Sequence, residues 1–301
     1  MSASVLREPL AATRRRPQLR LPALSPGLLA SAPLALLLLA GFLGPLVFVT
    51  LYSFMPPGTF SLLGRPTLAN YTTIVSGTYY ISFLWTVGLA LATTTILAVL
   101  CYPLAWAMVR AFGNRANLLT LLIVTPLFVA ENVRLFGWVL FLVPNGVLSG
   151  SAQAVFGIDP GSILYTRAAI VLGLVYVYLP FMLFPTVLGL SLVPDQVREA
   201  AFDLGASRFQ VLREIELPLA LPGIAIGALL VFIFCLGAMN ESRLLGGQAI
   251  TTIVQDIQKA FTFGQDWPRG SALSVLVVLI AMGLVWPVLQ RFDFDRLFGR
   301  G

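Results

Sequence analysis

The chain has 301 residues, 58% of them hydrophobic and only 11% charged, with a formal net charge of +6 and a mean hydropathy of +0.89. Soluble domains carry roughly a quarter charged residues, so this composition excludes a soluble globular protein and indicates an integral membrane protein. The sequence holds no histidine, which excludes His-ligated metals and a Ser-His-Asp triad, and its single lysine, Lys259, precedes Ala260, which excludes a GxxxxGK[ST] phosphate loop.

A basic segment with Arg7, Arg14, Arg15, Arg16 and Arg20 precedes the first apolar run, Leu28–Phe54. A cleavable signal peptide is the alternative reading. The run is too long for one and lacks a clear small-residue cleavage site, so it is expected to be a retained first helix. Five more apolar runs follow: Ile81–Val109, Leu118–Val143, Ala168–Val193, Leu217–Ala238 and Ser271–Leu289. Each matches the roughly 20 helical residues that cross a hydrocarbon core. Pro45, Pro103, Pro126, Pro180, Pro185 and Pro222 fall inside these runs, which membrane helices tolerate because neighbouring groups satisfy the freed carbonyls. Cys101 and Cys235 also lie in apolar runs and read as small packing residues rather than as a disulfide.

The basic residues are distributed unevenly between the two sides of such a chain. Thirteen arginines fall on one side: the five above, Arg110, Arg115, Arg198, Arg208, Arg213, Arg291, Arg296 and Arg300. Only Arg65, Arg243, Lys259 and Arg269 fall on the other. Positive-inside bias therefore predicts cytoplasmic N- and C-termini. The net charge follows from this topology and implies no nucleic-acid partner.

The third run contains Glu131, Asn132 and Arg134. Charges within spans are costly and face a cavity or one another, so these three are candidates for a translocation path. On one continuous helix Glu131 falls roughly 20 Å from a start near Leu118, in the outer half of the core. The alternative is a structural Glu131–Arg134 pair one turn apart. Trp85, Trp106, Trp138 and Trp286, like Tyr176 and Tyr178, read as interface anchors or packing residues rather than as a stacking site.

Between the fourth and fifth runs lies a polar segment that the topology places in the cytoplasm. Ala201, Leu204, Val211, Leu212 and Ile215 form an incomplete apolar stripe at helical spacing, interrupted by Gly205. A glycine within a helix costs about 1 kcal/mol against alanine, so Gly205 is expected at a turn between two short helices. Pro194 and Pro218 punctuate the ends, and Asp195 is the expected N-cap. An interfacial helix on lipid headgroups is the bland alternative, but the mixture of acids and arginines suits a protein partner better. After the fifth run, Asn240, Glu241 and Arg243 are further path candidates, with an exposed Glu241–Arg243 pair at the loop end as the alternative. About 33 Å of helix separates them from Pro218, which puts them at the outer face.

Glu199-Ala200-Ala201, three residues, Gly205, nine residues, then Ile215-x-Leu217-Pro218 resembles the EAA loop of permease subunits in bacterial binding-protein-dependent ABC importers. The stretches "LPFMLFP", "RLFGWVLFLVPNGVLSG", "LLGG" and "DWPRGSALS" are similar to those of spermidine/putrescine-type permeases, specifically the first of the two permeases in such systems. The resemblance covers roughly Leu28 to Leu289. It implies an all-α membrane protein with the six-helix type I importer fold, an N-terminal helix packed around a five-helix core. Residues 1–27 would form a cytoplasmic segment, 28–290 the permease domain with its coupling loop at 195–218, and 291–301 a cytoplasmic tail.

The resemblance further implies that Glu199, Ala200, Ala201, Asp203, Gly205, Ile215, Leu217 and Pro218 couple the chain to an ATPase. Two ATPase subunits would bind the ATP and Mg, leaving this chain a non-catalytic subunit without a cofactor. A second related permease, forming a heterodimer, and a substrate-binding protein would complete the complex in the bacterial inner membrane. "AMNESRLLGG" departs from the polyamine pattern: Asn240, Ser242 and Arg243 stand where relatives mostly carry apolar, Thr or Pro residues. Arg243 favours a carboxylate or phosphonate, so opines and aminophosphonates stand beside polyamines as expected substrates. A self-sufficient secondary transporter would need coupling carboxylates at midplane or an inverted repeat, and a membrane enzyme a nucleophile with its base. The sequence supplies neither clearly.

Overall fold

A computed structural model describes residues 26–157, 161–247 and 249–291. The N-terminal arginines, and Arg296 and Arg300 of the expected tail, lie outside the described residues. Among these residues every regular element is a helix, and the chain divides into two compact units after Phe48.

The first unit holds α1 (Pro26–Leu38), a π turn at Leu39–Leu43 and the start of α2 (Gly44–Ser53). The π turn has a local cause. Pro45 has no N–H for the carbonyl four residues back, and the helix absorbs the mismatch by widening one turn. Large apolar side chains such as Leu36 and Phe42 stand exposed along it, as suits a helix whose solvent is lipid.

The second unit begins with α3 (Ala69–Ser76) and α4 (Tyr79–Arg110). It continues through α5 (Arg115–Val124) with a 3₁₀ turn at Thr125–Phe128, α6 (Glu131–Leu142), α7 (Val147–Phe156) and α8 (Arg167–Ser191). The polar segment forms α9 (Asp195–Asp203) and α10 (Arg208–Val211), and a second π turn at Leu212–Glu216 leads into α11 (Leu217–Leu236). Pro218 stands just after this π turn as Pro45 does after the first, and the same missing donor explains both. The unit closes with α12 (Asn240–Leu244), α13 (Ile253–Thr262) and α14 (Trp267–Arg291).

Six helical stretches are long and apolar enough to cross a membrane, as expected, but the third is not the predicted one. The run read as Leu118–Val143 is broken. Pro126 sits in the 3₁₀ turn, Val129 and Ala130 are extended, and a new helix starts at Glu131. The qualifying stretch is Glu131–Phe156, and Arg115–Phe128 is a shorter apolar helix. Proline removes a backbone donor, and an acid in a first turn favours the positive end of the new helix. The depth of Glu131 inferred from one continuous helix is therefore withdrawn.

The core lies where α8 packs against α4 and α11, which also pack on each other. Leu97, Cys101, Leu174, Met182, Leu183 and Leu190 are buried there. Helices in lipid gain little from hydrophobic burial and associate through close packing of small residues. Gly189 of α8 and Gly223 of α11 are such residues: a Cβ on Gly223 would lie 2.5 Å from the Pro185 carbonyl oxygen and 2.7 Å from Gly189 Cα. This contact lets α8 and α11 approach closely.

Candidate coupling surface and translocation site

The polar segment folds into two short helices hinged at Gly205, as its glycine predicts. Gly205 has φ +86, a left-handed conformation that costs residues with a Cβ. Ser207 accepts from the Gln210 N–H, and Gln210 Oε1 accepts from the Ser207 N–H, a capping box that starts α10. The hinge thrusts apolar side chains outward: Leu204 is 89% exposed and Phe209 66%. Glu199, Ala200, Asp203 and Pro218 are exposed, while Ala201, Ile215 and Leu217 are half-buried. Helix α9 contains no buried residue at all.

Polar contacts nevertheless hold α9 in place, and sequence reasoning missed them. Asp195 is not the N-cap; Pro194 occupies that position without a side-chain bond. Instead, Asp195 Oδ1 lies 2.6 Å from Arg110 Nη1 and 2.9 Å from Arg198 Nη1. Glu216 Oε1 lies 2.6 Å from Arg198 Nε and 3.5 Å from Arg110 Nε. Trp106 Nε1 donates to Glu216 Oε2 at 2.7 Å, and Arg110 Nη2 donates to the Val193 carbonyl at 3.1 Å. Trp106 is thus neither an interface anchor nor simple packing. The π turn turns Glu216 inward, where only 2% of the residue is exposed. An acid four residues before a predicted span's second turn was the one local signal that could have drawn attention to it.

The candidate path residues separate into a cluster and two outliers. Asn240 Nδ2 donates to Glu131 Oε1 at 2.8 Å. Arg134 lies over the Tyr176 ring at 5.8 Å, and Trp138 packs on the same ring at 5.5 Å. Glu241 is 1% exposed and borders Tyr178. Both alternatives weighed from sequence fail here. Glu131 pairs with Asn240 rather than with Arg134, and Glu241 is buried rather than part of an exposed pair with Arg243. Among the described residues one Glu241 oxygen and Arg134 Nε are buried without a hydrogen-bond partner, as are Glu216 Oε1 and the Nε atoms of Arg110 and Arg198 beside α9.

Glu241 also lies deeper than its chain distance implied. After Gly237 the chain leaves α11 and α12 runs beside α8, so that Glu241 Cβ approaches Gly173 and the Tyr165 N–H donates to the Leu245 carbonyl at 2.8 Å. Gly173 is six residues, about 9 Å, inside the start of α8. Extending α11 in a straight line had placed Glu241 at the surface. Asn132 and Arg243 are exposed and stand apart from the cluster. Arg243 lines an open groove of about 580 Å³ with Gln255, Gln258 and Lys259. Among the described residues no group of acids and cysteines could hold a metal ion.

Comparison with known proteins bears directly on these two sites. Residues 116–297 match the family described as "Binding-protein-dependent transport system inner membrane component". The chain is 35% identical over 226 residues to the spermidine/putrescine transport system permease protein PotB of Escherichia coli (strain K12), covering 75% of this chain and 82% of that protein. It is 30% identical over 256 residues to the inner membrane ABC transporter permease protein YdcU of the same organism, covering 79% and 80%. Among solved structures, a bacterial ABC transporter involved in the import of the acidic polysaccharide alginate superposes with a TM-score of 0.69 at 17% identity, covering 88% of this chain and 94% of that one.

Proposed function

The chain belongs to the binding-protein-dependent transport system inner membrane components, a multi-pass, non-catalytic permease subunit of an ABC importer, and from that premise we propose a role for each of its two polar sites. The exposed face of residues 195–218 docks a separate ATPase, two copies of which bind ATP and Mg and supply the energy; buried Glu216 is not part of that face. The exposed apolar edge around the Gly205 hinge, Leu204 and Phe209, carries this assignment. Ala200 and Ala201 allow close approach, Glu199 and Asp203 offer charge to the partner, and Ile215, Leu217 and Pro218 anchor the segment to α11. This side faces the cytoplasm with both termini, residues 1–27 and 291–301, and the permease domain spans 28–290. A second, related permease completes a heterodimer, and a binding protein delivers cargo to the opposite face.

Gly205→Glu and Ala201→Asp are expected to insert normally and to lose the ATPase on purification. Recovery of the ATPase with both variants at wild-type amounts would overturn the docking assignment.

The cargo is a polyamine such as spermidine or putrescine. Glu131 and Glu241 set two carboxylates against the one guanidinium of Arg134, beside the rings of Tyr176, Tyr178 and Trp138. Carboxylates and aromatic faces together suit an organic cation, and relatives named for spermidine and putrescine support the class. Asn240 positions Glu131. Asn132 and Arg243 stand nearer to the entrance. A second reading, an opine or aminophosphonate in the same importer class, rests on Arg243 and Lys259 in the open groove. Uptake into proteoliposomes holding both permeases, the ATPase and the binding protein decides between them. Spermidine uptake unaffected by aminophosphonates and opines is expected. Carriage of those compounds with no polyamine uptake would overturn the polyamine reading.

A further inference from the structure

The coupling helix α9 must pass on any displacement imposed on it, yet it has no buried side chain with which to grip the spans. Its attachment is polar. Arg198 and Asp195 on α9 meet Arg110 at the end of α4 and Glu216 in the π turn that opens α11. Two acids face two guanidiniums, each charge within 4 Å of an opposite one. Trp106, one turn before Arg110, holds the second Glu216 oxygen at 2.7 Å. Side-chain exposure falls from 67% at Asp195 to 21% at Arg198, 10% at Arg110 and 3% at Glu216. The contacts shielded from water are those that join the segments, and shielded ion pairs are weakened little by salt.

We propose that Trp106, Arg110, Arg198 and Glu216 form a rigid joint. It makes α9 move as one body with the adjoining ends of α4 and α11, and Glu216 is the positioning residue through which motion at the ATPase reaches the translocation path. This rests on the reading of α9 as the docking helix. Without the joint, α9 would be tied to α8 and α10 by chain continuity alone, through the Val193–Pro194 bend and the Gly205 hinge, and would swing without moving α4. Because α4 and α11 pack directly on α8, which carries Tyr176 and Tyr178, a displacement of the joint is felt at the buried cluster at the other side of the unit.

The test uses the assembled importer. Glu216→Gln keeps an oxygen for Trp106 and removes the charge that the two arginines share. The expected outcome is normal recovery of the ATPase and continued basal ATP hydrolysis. Stimulation of hydrolysis by the loaded binding protein should fall roughly tenfold with uptake, within the usual range for coupling between sites. Wild-type stimulation and uptake in this variant would overturn the joint.

Should Glu216→Gln fail to assemble, the joint can be read without altering it. Nitroxide labels at Val197 on α9 and Val99 on α4, both exposed, report the distance between α9 and α4 in the resting and vanadate-trapped importer. A constant distance supports the joint. A shift on the order of 5 Å, one helical turn, overturns it. Loss of the docking assignment is a separate result, read from ATPase recovery with Gly205→Glu.

Discussion

Glu216 and Glu241 are both acids with almost no exposure in a membrane protein, 2% and 1% respectively, and they are treated in opposite ways. Glu216 has Arg110, Arg198 and Trp106 around it, all contributed by this chain. Among the described residues Glu241 has no ion pair within 4 Å, and one of its oxygens finds no hydrogen-bond partner. Neighbouring Arg134 likewise leaves its Nε without one. Glu216 Oε1 and the Nε atoms of Arg110 and Arg198 also lack an aligned hydrogen bond, so the difference lies in charge. Two guanidiniums compensate Glu216, whereas a buried acid without an ion pair is costly unless something else meets it. On the proposed reading, the contrast sets a joint that transmits motion against a place kept ready for a charged cargo.

The largest expected effect is at the ion-paired site. Glu216→Ala leaves two guanidiniums with only the exposed Asp195 as counter-ion and should destabilise the protein by up to about 3–5 kcal/mol, read as a fall in unfolding temperature in detergent. Trp106→Phe removes one hydrogen bond to a charged group and should cost about 1.5–3 kcal/mol, by the same measurement. At the unpaired acid the effect should appear in function. Glu241→Gln is expected to leave the unfolding temperature unchanged or slightly higher, yet reduce uptake about tenfold, equivalent to ~1.4 kcal/mol. A stability loss as large as that of Glu216→Ala would erase the contrast, because it would make Glu241 structural. The smallest effect is at the rim of the joint. Asp195 is 67% exposed along its side chain, and Asp195→Asn should cost under about 1 kcal/mol and become silent in high salt. A larger cost would move the weight of the joint from Glu216 to its surface pair.

How far these sites were legible in the sequence depends on how local they are. The two-helix hinge at Gly205 is written in consecutive residues, and its glycine and flanking prolines could be read in order, whereas the cap expected at Asp195 is absent and Ser207 caps α10 instead. The buried cluster was half legible. An acid inside an apolar run draws attention by its cost, which picked out Glu131, and Glu241 stood out just past the fifth run, but Asn132 and Arg243 came with them as sequence neighbours and turned out exposed. Tyr176, Tyr178 and Trp138 gave no signal, since aromatic residues in spans are ordinary. The joint was illegible: Trp106 and Glu216 are 110 positions apart, and Arg110 and Asp195 are 85 apart. No spacing rule connects residues across that distance.

The sequence by itself determined that the chain crosses a membrane six times and that its polar segment turns at Gly205. Span length is set by bilayer thickness and helix rise, and a hinge by the conformations of its own few residues. The tertiary structure decided that the third run breaks at Val129 and Ala130, that α12 carries Glu241 inward beside α8, and that four charges and an indole meet under α9. Those outcomes depend on which helices lie side by side. In lipid that choice rests on close contacts such as Gly189 against Gly223, which hydropathy, being a property of one helix at a time, does not encode.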